Sequence, residues 1–330
     1  MAYSEEILRR ARRRLDQAKA ERERENEEHL RIAYERFPRL KEIDRELRLN
    51  MVQLASIALR NQDSPTLTLA QIRDKNRELQ REREWIIEVG EFEEGFLDDS
   101  PVCDKCGGSG YYGAQMCSCL KELCRQEQKK ELTSLIGSGR ETFDNFRLDV
   151  YPDQYDHTIG TTPRNLMTQN LRICRNYAAG FGPGSGNLLF SGLTGLGKTF
   201  LSACIARQVA DRGFSVVYET AIQVFEDFER VKFGGGSEED RSSVKKYFNC
   251  DLLIIDDLGS EMTTQFTISA LYRIVNTRLM ENRSTIISTN LDTNSFEQWY
   301  NAQISSRVLG NYKVMIFKGN DLRRKQGGFR

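Results

Sequence analysis

The chain has 330 residues, which is long for one domain and comfortable for two. Its 48 basic residues balance its 48 acidic ones, so the net charge is zero and does not attract nucleic acid. Any contact with DNA therefore requires a local basic patch or several subunits together. No apolar stretch approaches the roughly 20 residues of a membrane span, and the first residues lack the apolar core of a secretory signal, so we expect a cytoplasmic protein without a membrane partner.

The first 95 residues are rich in Arg and Glu, and their apolar residues recur at helical spacing. The pattern predicts two or three long helices, interrupted at Pro38 and at residues 63–65, that pack as a hairpin or against a partner. The alternative is a solvated, partly disordered charged arm. The apolar positions of this pattern are Ile7, Ala11, Leu15, Ala18, Leu40, Ile43, Leu47, Met51, Leu54, Leu69, Ile72, Leu79 and Ile86.

Eight cysteines without an export signal indicate thiols or metal ligands rather than disulfides. Cys103-x2-Cys106 and Cys117-x-Cys119 form two close pairs separated by a glycine-rich stretch, which predicts a tetrahedral Zn²⁺ site. So short a segment has too little apolar area to fold alone, and the metal would supply the folding free energy. One alternative is a redox-active dithiol, and another is a site in which Cys124 replaces Cys119.

Further along the chain, apolar strands alternate with amphipathic helices, which predicts an α/β domain with a parallel sheet. The segments between consecutive strands are predicted to be helices because their apolar residues recur at helical spacing. The predicted strands are Asn187–Ser191, Phe214–Glu219, Leu252–Ile255 and Ser284–Ser288, and the predicted helices are Thr199–Arg212, Ala221–Lys232 and Thr263–Glu281.

A complete phosphate-binding loop follows the first of these strands. Gly192-Leu193-Thr194-Gly195-Leu196-Gly197-Lys198-Thr199 matches G-x-x-x-x-G-K-[ST] between a strand and a helix, which is the context that the motif requires. Its glycines allow backbone N–H groups to surround the phosphates, and the helix N-terminus adds a positive dipole. We expect Lys198 to contact the β- and γ-phosphates of ATP and the Thr199 hydroxyl to ligate Mg²⁺.

Polar residues also follow the third and fourth strands of the predicted sheet. Asp256 and Asp257 end the strand Leu252–Ile255, where Asp256 suits Mg²⁺ and Asp257 suits the base that activates water. Aspartate is shorter than the glutamate more common at the second position, so Glu261 is an alternative base. Asn290 ends the following strand, where its amide could hold the attacking water or contact the γ-phosphate; the alternative is a turn-forming asparagine.

Two arginines lie beyond these strands, Arg307 on a predicted short helix and Arg323 near the end of the sequence. Their positions suit an arginine finger that acts on a neighbouring subunit and a sensor of the γ-phosphate within the same subunit, respectively. The alternative for each is an ordinary surface arginine.

The phosphate loop, the acidic strand, Ser288-Thr289-Asn290 and Ser306-Arg307, in this order, resemble AAA+ ATPases of the DnaC/DnaI-type bacterial or phage replicative-helicase loader family. The resemblance covers about residues 140–330, and Thr142–Phe146 resembles the segment that lines the adenine site in that family. It implies ATP-dependent loading of a hexameric replicative helicase onto single-stranded DNA in replication initiation, with self-association on the DNA or on the helicase. Since Asp257 departs from the family's usual acid, the resemblance implies ATP binding more directly than rapid hydrolysis.

We therefore expect an α/β P-loop NTPase of the AAA+ type with a parallel sheet, preceded by a helical N-terminal region and a small zinc knuckle. Two alternative functions stay open: an IstB-type transposition-helper ATPase and a nucleotide-gated adaptor with little hydrolysis. The expected domains are a partner-binding helical region at 1–95, the zinc knuckle at 96–130, a linker with the adenine-site segment at 131–165, and the ATPase domain at 166–330.

Overall fold

The computed structural model of the chain describes residues 3–59, 66–93, 95–136, 141–234 and 237–322. The chain divides into two compact units: a helical unit, Arg14–Cys117, and a sheet unit, Met1–Arg13 together with Ser118–Arg330. Among the described helices, none is apolar over a length that would cross a bilayer. The domain boundaries expected from the sequence stay predictions.

Long helices dominate the N-terminal region: α1 (Glu5–Arg36), α2 (Pro38–Leu59) and α3 (Thr66–Val89). Pro38 begins α2, where its missing N–H is harmless because the first N–H groups of a helix have no intrahelical acceptor. In the helical unit, α2 packs against α3 around a core in which the predicted residues Leu40, Ile43, Leu79 and Ile86 are buried. The prediction of long helices with a packed hairpin is therefore confirmed.

The apolar pattern was wrong at Met51, which is 67% exposed. The buried face of α2 passes through the neighbouring Asn50 instead, which lies seven residues, or about two helical turns, after Ile43. The Asn50 amide donates a hydrogen bond to Oδ1 of Asn76 on α3 at 2.7 Å. A polar pair thus occupies a position where a purely hydrophobic pattern predicts an apolar side chain.

The sheet unit is an α/β domain with five parallel strands among the residues described. They lie in the order β4 (Val216–Thr220), β5 (Leu252–Leu258), β6 (Ser284–Thr289), β3 (Asn187–Ser191) and β7 (Tyr312–Ile316). The helical unit ends in a small antiparallel hairpin, β1 (Tyr111–Tyr112) and β2 (Gln115–Met116). The elements of the sheet unit are α4 (Ser118–Ile136), a 3-10 turn at Phe143–Asn145, α5 (Pro163–Ala179), β3 (Asn187–Ser191), α6 (Lys198–Asp211), β4 (Val216–Thr220), α7 (Ala221–Phe233), α8 (Glu238–Asn249), β5 (Leu252–Leu258), α9 (Gln265–Met280), β6 (Ser284–Thr289), α10 (Thr293–Trp299), α11 (Asn301–Asn311) and β7 (Tyr312–Ile316).

Helices cover both faces of this sheet, which is why its central strands are almost continuously apolar. Alternate residues of β5 point to opposite faces: Ile254 packs with α5 and α6, whereas Ile255 packs with α7 and α9. The predicted fold class, an α/β domain with a parallel sheet preceded by a helical region, is confirmed.

Strand β4 forms one edge of the sheet, and Gln128 of α4 covers part of this edge. The Gln128 side-chain N–H donates to the carbonyl oxygen of Phe214 at 2.9 Å, and its amide oxygen accepts from the N–H of Val216 at 2.9 Å. The side chain therefore makes the two hydrogen bonds that an additional strand would make, and the glutamine itself is buried.

The guanidinium group of Arg278 on α9 is fully buried among backbone carbonyl groups. It donates to the carbonyl oxygens of Tyr247 at 2.9 Å, Cys250 at 3.1 Å and Ser284 at 2.6 Å, and to Oγ1 of Thr285 at 2.9 Å. Arg278 thus joins the C-terminal end of α8 to the beginning of β6, and it satisfies carbonyl groups that would otherwise be buried without donors.

Candidate functional site

The strand order places three predicted segments side by side at the carboxyl edge of the sheet. β6 lies between β5 and β3, and all three run parallel. Asn290, which follows β6, is therefore flanked by the aspartates of β5 on one side and by the phosphate loop after β3 on the other. Ligands of open α/β sheets bind at this edge.

The loop at residues 192–199 connects β3 to α6, and neighbouring segments fix its shape. The Tyr151 hydroxyl donates to the carbonyl oxygen of Leu196 at 2.9 Å, and the N–H of Leu322 donates to the carbonyl oxygen of Gly195 at 3.1 Å. Segments before and after the sheet therefore hold the loop in one conformation.

None of the three glycines of the loop, Gly192 included, has room for a side chain. Gly195 and Gly197 have φ values of 77° and 89°, in the region that favours glycine. A Cβ atom on Gly195 would lie 1.9 Å from Oδ1 of Asp321, and one on Gly197 would lie 2.8 Å from the Tyr151 hydroxyl. Gly197 also precedes α6, whose first N–H groups lack intrahelical acceptors and are suited to bind an anion.

Asn290 connects Lys198 to Asp257. Its Oδ1 accepts a hydrogen bond from Nζ of Lys198 at 2.9 Å, and its Nδ2 donates to Oδ1 of Asp257 at 2.7 Å. Nζ of Lys198 also donates to the carbonyl oxygens of Gly192 and Leu193, and the lysine is only 6% exposed. An ammonium group, an amide and a carboxylate thus form one hydrogen-bonded row beside the loop. The ammonium group is suited to bind a phosphate, and the amide and the carboxylate are suited to position a water molecule.

A β-bulge gives Asp257 its position. The pairing of β5 with β6 shifts between Ile255 and Leu258, and Asp257 has a φ of 57°. Aspartate adopts this left-handed conformation more readily than most residues, and bulges commonly redirect side chains beside functional sites. As a result Asp257 is exposed at the edge of the sheet while Asp256, its neighbour, stays buried.

The buried carboxylate of Asp256 accepts two side-chain hydrogen bonds. The Tyr218 hydroxyl donates to Oδ2 at 2.8 Å, and the Ser288 hydroxyl donates to Oδ1. Burial, followed by the charge of Asp256, raises the pKa of the Tyr218 hydroxyl well above its ordinary value, so this group is a donor. Sequence reasoning gave Tyr218 no role and named Ser288 only within the motif Ser288-Thr289-Asn290, because both strands contain other polar residues and these two do not stand out.

The described geometry offers oxygen ligands of the kind that Mg²⁺ prefers, the Asp256 carboxylate and the exposed Thr199 hydroxyl at the beginning of α6. Glu261, the alternative to Asp257, has other partners. It accepts from the Tyr300 hydroxyl and, at 2.8 Å, from the N–H of Gly259. These bonds favour Asp257 as the acid of the site.

Arg307 on α11 packs against α9. Its Nε donates to Oδ1 of Asn276 at 3.0 Å, and its guanidinium carbon lies 4.7 Å from the centre of the Tyr272 ring. Among the residues described, the hydrogen bonds of its guanidinium group run to Asn276 and Gln303, and none runs to the phosphate loop. Arg323 lies outside the described residues.

A cavity of about 460 Å³ adjoins the loop at Gly197. Its walls include Phe146, Tyr151, Phe200 and Leu322, and the Phe146 ring lies 5.6 Å from that of Phe200. An aromatic and aliphatic lining suits a planar heterocycle such as a nucleotide base. The segment compared with the family's adenine site contributes Phe146 to this cavity.

The structure brings together the cysteines that the sequence predicts as zinc ligands. The sulfur atoms of Cys103, Cys106, Cys117 and Cys119 all lie within 4.8 Å of one another, and those of Cys103 and Cys117 are 3.8 Å apart. Four sulfurs about 2.3 Å from a central Zn²⁺ lie about 3.8 Å apart, so the donor set fits this metal. Burial raises the pKa of the Cys124 thiol to about 11, which disfavours the thiolate form that zinc requires.

We expect one zinc ion per chain in protein purified without chelator. Cys103→Ser should lower the metal content to near zero, whereas Cys124→Ser, a control that removes a nearby thiol, should leave it unchanged. Elemental analysis measures both variants. Chelation should disrupt structure around the four cysteines but leave nucleotide binding by the sheet unit, and global unfolding on chelation would contradict a separate zinc module.

Comparison with known families and proteins adds a second line of observation. The family model described as IstB-like ATP binding protein matches residues 154–327. The replicative helicase loader DnaC of Buchnera aphidicola subsp. Acyrthosiphon pisum is 23% identical over 207 residues, which cover 62% of this chain and 80% of that protein. DnaC of Escherichia coli K12 is 26% identical over 159 residues, covering 48% of this chain and 64% of that protein.

Solved structures of the DnaC helicase loader and of DnaI match with TM-scores of 0.44 and 0.43 and with identities of 21% and 22%. They cover 53% and 57% of this chain and 98% and 92% of those chains. The resemblance inferred from the sequence motifs is confirmed by the curated DnaC relatives. Because the family model spans more than half of its residues, the chain belongs to the family of IstB-like ATP binding proteins.

Proposed function

We propose that this protein binds and hydrolyses ATP in order to load a replicative DNA helicase onto single-stranded DNA. The observation that carries the ATPase part is the row Lys198–Asn290–Asp257 at a complete phosphate loop. In this row the Asn290 amide joins the Lys198 ammonium group, which suits the phosphates, to the Asp257 carboxylate. The amide can therefore orient a water molecule between the phosphates and the carboxylate.

Each residue of the site then has one role. The N–H groups of the loop and the Lys198 ammonium bind the phosphates, while Thr199 and Asp256 hold Mg²⁺. When bound, Mg²⁺ neutralises negative charge on the β- and γ-phosphate oxygens. Asn290 orients the attacking water, and Asp257 accepts its proton. The cavity beside Gly197 accommodates the adenine, with Phe146 as one wall.

Arg307 is proposed to complete the site of a neighbouring subunit. Within its own chain it is held by Asn276 and Tyr272 on α9, away from the phosphate loop, which agrees with a finger that acts in trans. The proposal for Arg323, a sensor of the γ-phosphate within the same chain, rests on the sequence alone. Self-association on DNA or on the helicase would bring Arg307 to its partner site.

The loading role is supported by the relatives, which are described as replicative helicase loaders. The partners would be a hexameric helicase and single-stranded DNA in the cytoplasm. The helical region and the zinc knuckle would bind the helicase, since the ATPase motifs all lie in the sheet unit.

A loading assay tests this function directly. The host's hexameric helicase is mixed with closed circular single-stranded DNA, and unwinding of an annealed oligonucleotide is measured with and without this protein. We expect unwinding to increase only when this protein and ATP are both present. No increase, together with normal ATP turnover, would contradict the loading role but not the ATPase assignment.

The family description favours one second candidate, an IstB-type ATPase that assists transposition on duplex DNA. The two candidates differ in the DNA that stimulates ATP turnover. Stimulation by single-stranded DNA supports the loader, and stimulation by duplex DNA alone supports the transposition helper. An adaptor would bind ATP and its partner without measurable turnover on either DNA.

A further inference from the structure

Two buried side chains connect the residues assigned to magnesium in the proposed function. The Tyr218 hydroxyl on β4 lies 2.8 Å from Oδ2 of Asp256 and 3.0 Å from the Ser202 hydroxyl on α6. The Ser202 hydroxyl in turn lies 3.0 Å from the carbonyl oxygen of Thr199, one turn earlier on the same helix. A path of polar contacts therefore runs from the turn of α6 that carries Thr199 and Ser202, through Tyr218, to Asp256.

The protons along this path fix the direction of the bonds. An ionised carboxylate only accepts hydrogen bonds, so the single Tyr218 proton points to Asp256. The Ser202 hydroxyl also has a single proton, and it links α6 to Tyr218 when it donates that proton to the tyrosine oxygen instead of the Thr199 carbonyl group. On the other side, the Ser288 hydroxyl donates to Oδ1 of Asp256 and accepts from the N–H of Asp257 at 3.1 Å.

Each oxygen of the Asp256 carboxylate thus has one protein donor, and each keeps a further lone pair for a ligand. Pairing between β4 and β5 fixes only the backbone at Asp256. Rotation of the carboxylate about its terminal bond is broad in the absence of hydrogen bonds. The two hydroxyl groups therefore determine which lone pairs face the site.

We propose that Tyr218 is a positioning residue for magnesium: its hydroxyl holds the Asp256 carboxylate in the orientation that ligates the ion and couples it, through Ser202, to the helix turn that carries Thr199. This inference rests on the proposed ATPase function. Hydrogen-bond partners of metal ligands typically change metal affinity by about 10- to 100-fold when they are removed. Tyr218 should accordingly affect nucleotide binding through the metal and not through the phosphate loop.

Tyr218→Phe in the full chain tests this role, because it removes one oxygen atom and keeps the ring. Binding of fluorescently labelled ATP is measured during a Mg²⁺ titration and in EDTA. We expect the Mg²⁺ concentration at half-maximal enhancement of binding to rise about 10-fold, while the affinity in EDTA changes less than about 2-fold. This readout requires no ATP turnover.

Tyr247→Phe is the matched control. Tyr247 is likewise buried, and its hydroxyl donates to a buried carboxylate, Oδ2 of Asp227, at 2.6 Å. Asp227 lies on α7, outside the phosphate loop and the acidic strand. Both variants lose one buried tyrosine–aspartate hydrogen bond, so a similar loss of thermal stability is expected, but only Tyr218→Phe should change the Mg²⁺ response.

An unchanged Mg²⁺ midpoint in Tyr218→Phe, or an equal shift in Tyr247→Phe, would overturn the inference while leaving the ATPase assignment intact. If the wild-type protein shows no Mg²⁺-dependent ATP binding, the proposed function fails and the inference fails with it. Should Tyr218→Phe not fold, Ser202→Ala tests the same path because it separates the tyrosine from Thr199. A raised midpoint is expected there, and an unchanged midpoint would refute the coupling.

Discussion

Lys198→Ala should weaken ATP binding roughly 100-fold, which corresponds to about 3 kcal/mol, and should abolish ATP turnover. The lysine is buried, and its ammonium group would be the only side-chain cation of the phosphate loop. Its described partners include two loop carbonyl groups and Asn290, which belong to the site, so the fold should persist. Equilibrium binding of labelled ATP measures the effect, and circular dichroism checks the fold.

Lys313→Ala is the control for this experiment. Lys313 is exposed on β7 and lies outside the phosphate loop. Its replacement removes one positive charge, as Lys198→Ala does, without changing the loop. We expect wild-type ATP affinity in the control. Near wild-type affinity in Lys198→Ala would show that the loop does not bind phosphates as assigned.

Arg278→Met should lower the free energy of unfolding by about 3–5 kcal/mol, because it leaves several buried carbonyl groups without donors. Methionine fills most of the space of the arginine stem but donates no hydrogen bond. The carbonyl groups of Tyr247, Cys250 and Ser284 lie deep in the unit, where water does not replace the lost donors. Urea unfolding at equilibrium measures the change.

Arg273→Met provides the comparison on the same helix. Arg273 is exposed on α9, and its guanidinium carbon lies 5.3 Å from the Phe248 ring centre. We expect a loss of less than about 1 kcal/mol there, as for an exposed cation–π contact. Equal losses in the two variants would mean that the buried hydrogen bonds of Arg278 contribute little to stability.

The sequence predicted the parts of the fold that depend on local chemistry. β3 and β5 are buried on both faces, so their apolar runs were recognisable, and the phosphate loop follows from its motif. β7 and α8 were not predicted. β7 is a short edge strand that includes the exposed Lys313, and α8 is rich in charged residues with few apolar ones, so neither contains a run of buried apolar residues like those by which β3 and β5 were recognised.

The candidate site shows the same division between local and long-range information. Lys198, Asp257 and Asn290 could be named because each follows a predicted strand, but their hydrogen-bonded order depends on β6 inserting between β3 and β5. The bulge at Asp257 and the contact of Tyr218 with Asp256 also arise from pairing between strands distant in sequence. No single-segment pattern contains that information.

The glutamine at the sheet edge limits how copies of this protein can join. Because Gln128 already occupies the peptide groups of Phe214 and Val216, an incoming strand from another molecule finds no free hydrogen-bonding partners there. A sheet that continues from subunit to subunit is therefore blocked at this position, as is the edge-to-edge aggregation to which open sheets are prone. At this edge the proposed self-association has only side-chain contacts available, and such contacts separate more readily than a shared β-ladder.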